Sequence, residues 1–180
     1  AAGVDTHDIG VCGTEMVYYA AAQPGMGGGI MVTASHNPKD YNGMKFVKAE
    51  AVPISDHTGL RDIERRARLR DWPGGTGSGK NEERDITEGY LQRVLSFVDP
   101  GALRPMKVVV NAGNGCAGTI IDALVRSLPG IDLVRLNHEP DGEFPNGVPN
   151  PILAENRAVT TEAVRDNGAN LGVAWDGDFD

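Results

Sequence analysis

Apolar residues fall along the chain in short clusters set apart by glycine, proline and charge, and the spacing inside each cluster separates strands from helices. The run Ile30-Met31-Val32-Thr33 is too compact for anything but a strand, and residues 44–49 (MKFVKA) alternate apolar with polar as a half-solvated strand does. Residues 8–12 (DIGVC) read as a further short strand, and 14–22 (TEMVYYAAA) as a helix with Thr14 as N-cap. Gly25 to Gly29 read as a loop. From Thr58, TGLRDIERRARLR places Leu60, Ile63 and Ala67 on one side and arginines opposite, the pattern of a helix with a solvated basic face.

Residues 73–81 (PGGTGSGKN) have no apolar content and mark an exposed loop or a domain boundary, which divides the chain into 1–80 and 81–180. Beyond it the pattern becomes regular. A helix over 86–98 carries the stripe Leu91, Val94, Leu95, Val98, and residues 107–111 (KVVVN) form a buried-type strand. The turn AGNGCAG leads into the helix TIIDALVRSL, then come a strand over 131–136, a Pro/Gly-rich loop over 139–151, a helix over 153–167 ending at Gly168, and a strand over 170–175. Strand, helix, strand, helix, strand implies right-handed crossovers and a largely parallel sheet, so the fold class is α/β.

Composition narrows the function. Hydrophobic residues make up 40% and charged residues 23% of 180 residues, as in an ordinary globular protein, and the formal net charge is −8. That balance argues against a nucleic-acid partner, which would need a basic face, but leaves room for an anionic ligand held by local lysines or a metal. Cys12 and Cys116 lie far apart in apolar contexts and read as buried free thiols of a reducing, cytoplasmic compartment. No apolar run reaches the ~18 residues of a membrane span, and no signal peptide is evident. The chain opens on Ala-Ala-Gly and stops inside an acidic cluster directly after a strand, so a longer parent protein is expected.

Two segments carry chemistry. Thr33-Ala34-Ser35-His36-Asn37-Pro38 follows the strand over 30–33 directly, and a strand ending in a tight polar loop holds side chains at the rim of a sheet. Ser35 brings a hydroxyl nucleophile, while His36 and Asn37 bring hydrogen-bonding groups. Pro38 biases Asn37 toward an extended backbone. Neighbours in an extended segment point apart, so His36 is expected to be poorly placed as a base for Ser35. Asn42-Gly43 turns the chain back and returns Lys45 toward the serine. The alternative is a polar turn in which Ser35 merely bonds backbone. At the other end Asp176-Gly177-Asp178-Phe179-Asp180 places three carboxylates at alternate positions, an all-oxygen set suited to Mg²⁺ or Ca²⁺ rather than zinc. The alternatives are a solvated acidic loop or a partial mimic of an EF-hand loop. The glycine-rich turn at 111–118 reads either as an anion cradle at a helix N-terminus or as a tight strand-to-helix turn. His7 and His138 read as surface polar residues.

The stretch TASHNPKDYNGMK, from Thr33 to Lys45, resembles the phosphoserine signature of the phosphohexomutase family, and the flanking GGIMV, KFVKAEAVPIS and DTHDIGVCGTEMVYYA are closest to its bacterial phosphomannomutase branch. DGDFD is similar to the family's magnesium loop, in which an arginine usually follows the last aspartate. The resemblance implies two α/β/α domains with mixed or mainly parallel sheets, the end of the first and most of the second in a four-domain protein. It implies that Ser35 carries the transferable phosphoryl group, that Lys45 beside it acts as general acid/base and charge stabiliser, and that Ser35, Asp176, Asp178 and Asp180 hold Mg²⁺. His36 and Asn37 enter the catalytic set as members of the same signature. The implied reaction interconverts mannose 6-phosphate and mannose 1-phosphate through a hexose 1,6-bisphosphate, with glucose phosphates as further substrates. The partner is then a phosphosugar, with no nucleic acid or membrane. Ser35 and the aspartates must meet across a domain interface. The rival readings are a metal-dependent phosphatase and a non-catalytic cation-binding module.

Overall fold

The computed structural model describes residues 3–72, 74, 75 and 77–180; Pro73 and Thr76, in the soft stretch at 73–81, lie outside the described residues. Its first half contains β1 (Thr6–Asp8), α1 (Thr14–Ala21), β2 (Gly28–Val32), β3 (Met44–Lys48) and α2 (Arg61–Leu69). The second contains β4 (Asn81–Glu83), α3 (Thr87–Leu95), β5 (Met106–Asn111), α4 (Ala117–Val125), β6 (Ile131–Leu136), α5 (Ala158–Asp166) and β7 (Leu171–Ala174). Among the described residues no helix is long and apolar enough to cross a membrane.

The parallel sheet expected in the second half is present, with strand order β6-β5-β7 and both pairings parallel. Its central strand explains the three layers. Val108 and Val110 point into the cluster that holds Ile120 and Ile121 of α4, while Asn111 on the opposite face donates from Nδ2 to Thr160 Oγ1 of α5 at 3.0 Å. Alternation along one strand thus dresses both faces of the sheet with a helix. In the first half β2 and β3 form an antiparallel hairpin in which Met31 faces Lys45, and β1 pairs in parallel with β4. β4 falls just past the expected boundary at residue 80, yet it returns to the first half. The core is continuous across the chain, running from Met16, Val17 and Ala21 of α1 through Leu91 of α3 to Ala117 and Ile121 of α4.

Several local expectations are corrected. The strand expected at 8–12 lies at Thr6–Asp8, because residues 9–12 have no partner strand in the sheet. β2 begins at Gly28, within the expected loop, since Gly28 and Gly29 pair with Lys48 and Val47. Thr14 is the first residue of α1 rather than its cap; Gly13 takes the cap position and the Thr14 hydroxyl is used elsewhere. α2 starts three residues later than expected, after an irregular turn at Asp56–Leu60 broken by Gly59 at φ +134°. Arg61, Arg65 and Arg68 are exposed as expected and Arg66 is half-buried; Arg65 and Arg66 pair with Asp62, Arg68 with Glu64 and Arg61 with Asp56, while Ala67, expected on the apolar side, is exposed. Cys12 is buried and free, but Cys116 is only half-buried. His7 is exposed, whereas the His138 side chain is 11% exposed and its Nε2 stands 3.1 Å from Asp122 Oδ2 without the alignment of a hydrogen bond.

Two predictions follow from this packing. A Cβ added at Gly118 would stand 2.1 Å from the His138 carbonyl oxygen. Gly118→Ala should therefore destabilise by about 2 kcal/mol in urea unfolding, although alanine in a free helix would stabilise. Asp122 accepts from Arg135 Nε at 2.8 Å. Burial alone would raise its pKa, but Arg135 and His138 more than offset that and hold it below the usual carboxylate range. A depressed folded pKa contributes stability above the unfolded value of about 3.9, which fades as pH falls through the folded value. Asp122→Asn should then cost about 0.5 kcal/mol at pH 7, the group being partly exposed, and nothing near pH 2, as read from urea midpoints.

Candidate active site

Ser35 follows β2 in a loop tied shut by Thr33 N–H donating to Gly43 O at 3.0 Å and Asn37 N–H donating to Ala34 O at 3.0 Å. Its backbone is left-handed, φ +52°, a conformation a non-glycine residue adopts only at a cost of about 1–3 kcal/mol. Thr33 Oγ1 holds that geometry by accepting from Ser35 N–H at 2.7 Å. The kink overturns the expectation that His36 points away. Because the segment is not extended at Ser35, His36 Nδ1 lies 3.2 Å from Ser35 Oγ. The Asn37 side chain instead donates back to Ala34 O at 2.8 Å, inside its own loop.

The acidic loop follows β7 and meets this serine. Ser35 Oγ donates to Asp176 Oδ2 at 3.0 Å, across 141 residues of sequence. Gly177 permits the approach, since a Cβ there would stand 3.1 Å from Ser35 O. Asp176 and Asp178 are 4% and 2% exposed, and one carboxylate oxygen from each of Asp176, Asp178 and Asp180 lies within 4.8 Å of the others. Lys45 Nζ stands 2.9 Å from Asp178 Oδ2 and donates to Asp180 Oδ2 at 3.0 Å and Thr14 Oγ1 at 3.3 Å.

The electrostatics divide the carboxylates. Burial, then the neighbouring charges of Asp178 and Asp180, raises the Asp176 pKa. Burial would raise Asp178 too, but the Lys45 ammonium and the hydrogen bond from Thr14 hold it below the usual range. Burial works to lower Lys45, yet Asp178 and Asp180 raise it, so it stays a cation. Three carboxylates in one loop face one ammonium, and Asp178 Oδ1 is buried with no hydrogen-bond partner. A hard divalent cation on these oxygens fits both observations.

Surrounding residues to which the sequence reading gave no role at this site hold the loop in place. Thr14 donates from its hydroxyl to Asp178 Oδ2 at 2.9 Å and from its backbone N–H to Asp178 O at 2.9 Å. Phe179, 9% exposed, packs against Gly13 and against the Trp175 ring at 5.8 Å. Lys39 of the serine loop pairs with Glu143 of the loop at 139–151. Cys116 N–H, at the start of α4, donates to Gly177 O at 3.2 Å, and a Cβ on Gly115 would lie 2.6 Å from Gly177 O. The turn at 111–118 therefore grips the acidic loop and is a tight strand-to-helix turn. Nothing in the pattern of apolar positions marks these contacts, because all but the Trp175–Phe179 pair are made between segments remote in sequence.

The packing of Phe179 into the first half is open to a double-mutant cycle. A Cβ on Gly13 would stand 2.4 Å from the Phe179 ring. Phe179→Ala should cost about 3 kcal/mol and Gly13→Ala about 2 kcal/mol. With the ring removed, adding the Gly13 methyl should cost less than about 0.5 kcal/mol in urea unfolding, and additive costs would refute the contact.

Comparison with known proteins agrees with this architecture. The family model for phosphoglucomutase/phosphomannomutase alpha/beta/alpha domain I matches residues 1–72, and that for domain II matches residues 88–180. A Xanthomonas campestris protein named for phosphohexose mutases is 51% identical over 180 residues, covering 100% of this chain and 40% of the relative. A Salmonella typhimurium phosphomannomutase is 47% identical over 185 residues, covering 99% and 41%. The crystal structure of a phosphoglucomutase/phosphomannomutase family protein from Burkholderia thailandensis superposes with a TM-score of 0.85 at 37% identity, covering 99% of this chain and 39% of that one. The chain thus spans about 40% of the length of the curated relatives it matches. Matched by both domain models over most of its residues, it belongs to the phosphoglucomutase/phosphomannomutase family.

Proposed function

We propose that this chain supplies the phosphoserine and the metal-binding half of a phosphohexomutase site, whose whole protein interconverts mannose 6-phosphate and mannose 1-phosphate. The observation that carries the reading is the meeting of Ser35 Oγ with Asp176 Oδ2 at 3.0 Å, a nucleophile from the first half set against the acidic loop of the second. Residues 1–80 would be the end of the phosphoserine domain, with β4 returning to it, and the rest of 81–180 the second domain. The sugar-selecting groups would lie outside the chain, and glucose phosphates are further candidate substrates.

Asp176, Asp178 and Asp180, with Ser35, would hold Mg²⁺, which when bound neutralises charge on the transferring phosphoryl group. In the forward step a sugar hydroxyl, losing its proton to a base, attacks the phosphorus of phosphorylated Ser35, and the serine oxygen leaves and takes up a proton, giving a hexose bisphosphate. In the return step Ser35 Oγ attacks the phosphorus of the other phosphate, the bond from that phosphorus to the sugar oxygen breaks, and the sugar leaves as the isomeric monophosphate with a proton on the freed oxygen, while the Ser35–phosphate bond re-forms. His36 Nδ1, 3.2 Å from Ser35 Oγ, would take the hydroxyl proton in that step once that proton turns away from Asp176 Oδ2. Lys45 reads as a fixed cation more than as a base, since its acidic neighbours raise its pKa and keep it protonated. Asn37 reads as a loop stabiliser through its bond to Ala34 O.

Conversion of mannose 1-phosphate by the full-length protein, with Mg²⁺ and a trace of hexose 1,6-bisphosphate, tests this. Mannose 6-phosphate should form, and Ser35→Ala should reduce the rate to background. Release of inorganic phosphate as the main product would point to a phosphatase. No turnover with intact cation binding that ignores the phosphorylation of Ser35 would point to a binding module. On the mutase reading, phosphorylation of Ser35 tightens the cation, and Asp176→Asn weakens it by at least ~10-fold.

A further inference from the structure

Among the carboxylate oxygens of the acidic loop, the two of Asp178 differ sharply. Oδ2 accepts from the Thr14 hydroxyl at 2.9 Å and stands 2.9 Å from Lys45 Nζ, whereas Oδ1 is buried without a partner. Asp176 offers no such contrast, because its Oδ2 accepts from Ser35 and its Oδ1 from the backbone N–H of Asp178 and Asp180. Thr14 holds Asp178 twice, its backbone N–H also donating to the Asp178 carbonyl at 2.9 Å. It is 2% exposed and opens α1, so its position is set by the core. Its hydroxyl has one proton. Lys45 donates to Thr14 Oγ1 at 3.3 Å, which turns that proton toward Asp178.

We propose that Thr14 is a positioning residue for the cation: by taking Asp178 Oδ2 and the Asp178 carbonyl, it presents Oδ1 as the one free oxygen of that side chain to the metal. The chain of contacts also makes cation binding depend on how α1 docks against the acidic loop, since the same residue begins the helix and orients the ligand. A carboxylate free to rotate would lose that orientation. Second-layer groups of this kind change metal affinity by about 10–100-fold when removed. The proposal rests on the reading of the acidic loop as a cation site.

The test uses the full-length protein and Mn²⁺ as an oxygen-seeking probe, with free Mn²⁺ read by electron paramagnetic resonance and thermal stability read separately in EDTA. Thr14→Val keeps the shape and removes the hydroxyl; it should weaken Mn²⁺ about 10-fold, and Thr14→Ser should recover wild-type affinity to within about threefold. Thr14→Ala serves as a second hydroxyl-free variant should valine not be accommodated. Wild-type affinity in a hydroxyl-free variant, or failure of serine to recover it, would overturn the proposal. So would a loss of affinity that tracks the loss of stability in EDTA across the variants, or the failure of both hydroxyl-free variants to fold. If the wild-type protein does not bind Mn²⁺, or Asp178→Asn binds it as tightly, the cation site itself falls, a different outcome from failure at Thr14 alone.

Discussion

Asp176 and Asp178 are almost wholly withdrawn from water within one short loop, and like charges held together in a dry place repel one another strongly. The loop therefore needs compensation from outside itself. Lys45 provides it from the hairpin of the first half, standing 2.9 Å from Asp178 Oδ2, which Thr14 also bonds, while Ser35 and the loop's own backbone amides bond the two oxygens of Asp176, and Asp178 Oδ1 is left without a partner. Every compensating side chain comes from the first half, and every buried carboxylate from the second. The junction between the halves is thus set by the electrostatic need of one loop.

The apolar packing serves the same junction. Phe179 sits inside the acidic loop, yet its ring packs against Gly13 and belongs to the core cluster that includes Met16 and Val17. A left-handed backbone at Phe179, φ +73°, turns the ring inward while its neighbours Asp178 and Asp180 reach Lys45. The loop is anchored by one aromatic ring and aimed by its charges. α3 completes the bridge, with Leu91 in the shared core and Tyr90 edge-on to Tyr19 of α1, ring centroids 6.0 Å apart. The serine loop is held from a third side by the Lys39 pair with Glu143, so residues 139–151 also brace the site.

Left-handed backbone occurs at the proposed chemistry as well as at Glu50, Ala51 and Arg70 elsewhere in the chain. Ser35 and Phe179 both adopt positive φ, as do Asn114, Asn137 and Phe144 in the turns that surround the acidic loop. Non-glycine residues keep such angles only where the surroundings over-determine them. At Ser35 the over-determination is visible in the Thr33 hydroxyl bond and the Asp176 contact. The consequence is functional geometry: the left-handed turn brings the serine hydroxyl within reach of both an imidazole and a carboxylate.

Much of this was legible in the order of residues. The runs at 107–111, 131–136 and 170–175 are local patterns of apolar side chains, and such patterns decide strand and helix wherever the core only has to accept them; all three became strands of one parallel sheet. The long motif at Thr33–Lys45 and the spacing of Asp176, Asp178 and Asp180 are likewise properties of neighbouring residues. What lay beyond reach were features made by remote segments. The start of β2 at Gly28 was decided by its pairing with Lys48, and the displacement of β1 by its pairing with β4. The convergence of His36 on Ser35 depends on a backbone angle fixed by tertiary contacts, which no alternation rule for extended chains contains. The roles of Thr14 and Phe179 depend on segments more than 160 residues away, Thr14 on Asp178 and Phe179 on Gly13. Sequence by itself determined the helices, the strands of the three-stranded parallel sheet and the candidate groups they carry; only the tertiary structure decided the short β1–β4 pair and how those groups face one another, because burial and charge compensation are settled by contacts between segments that the order of residues does not bring together.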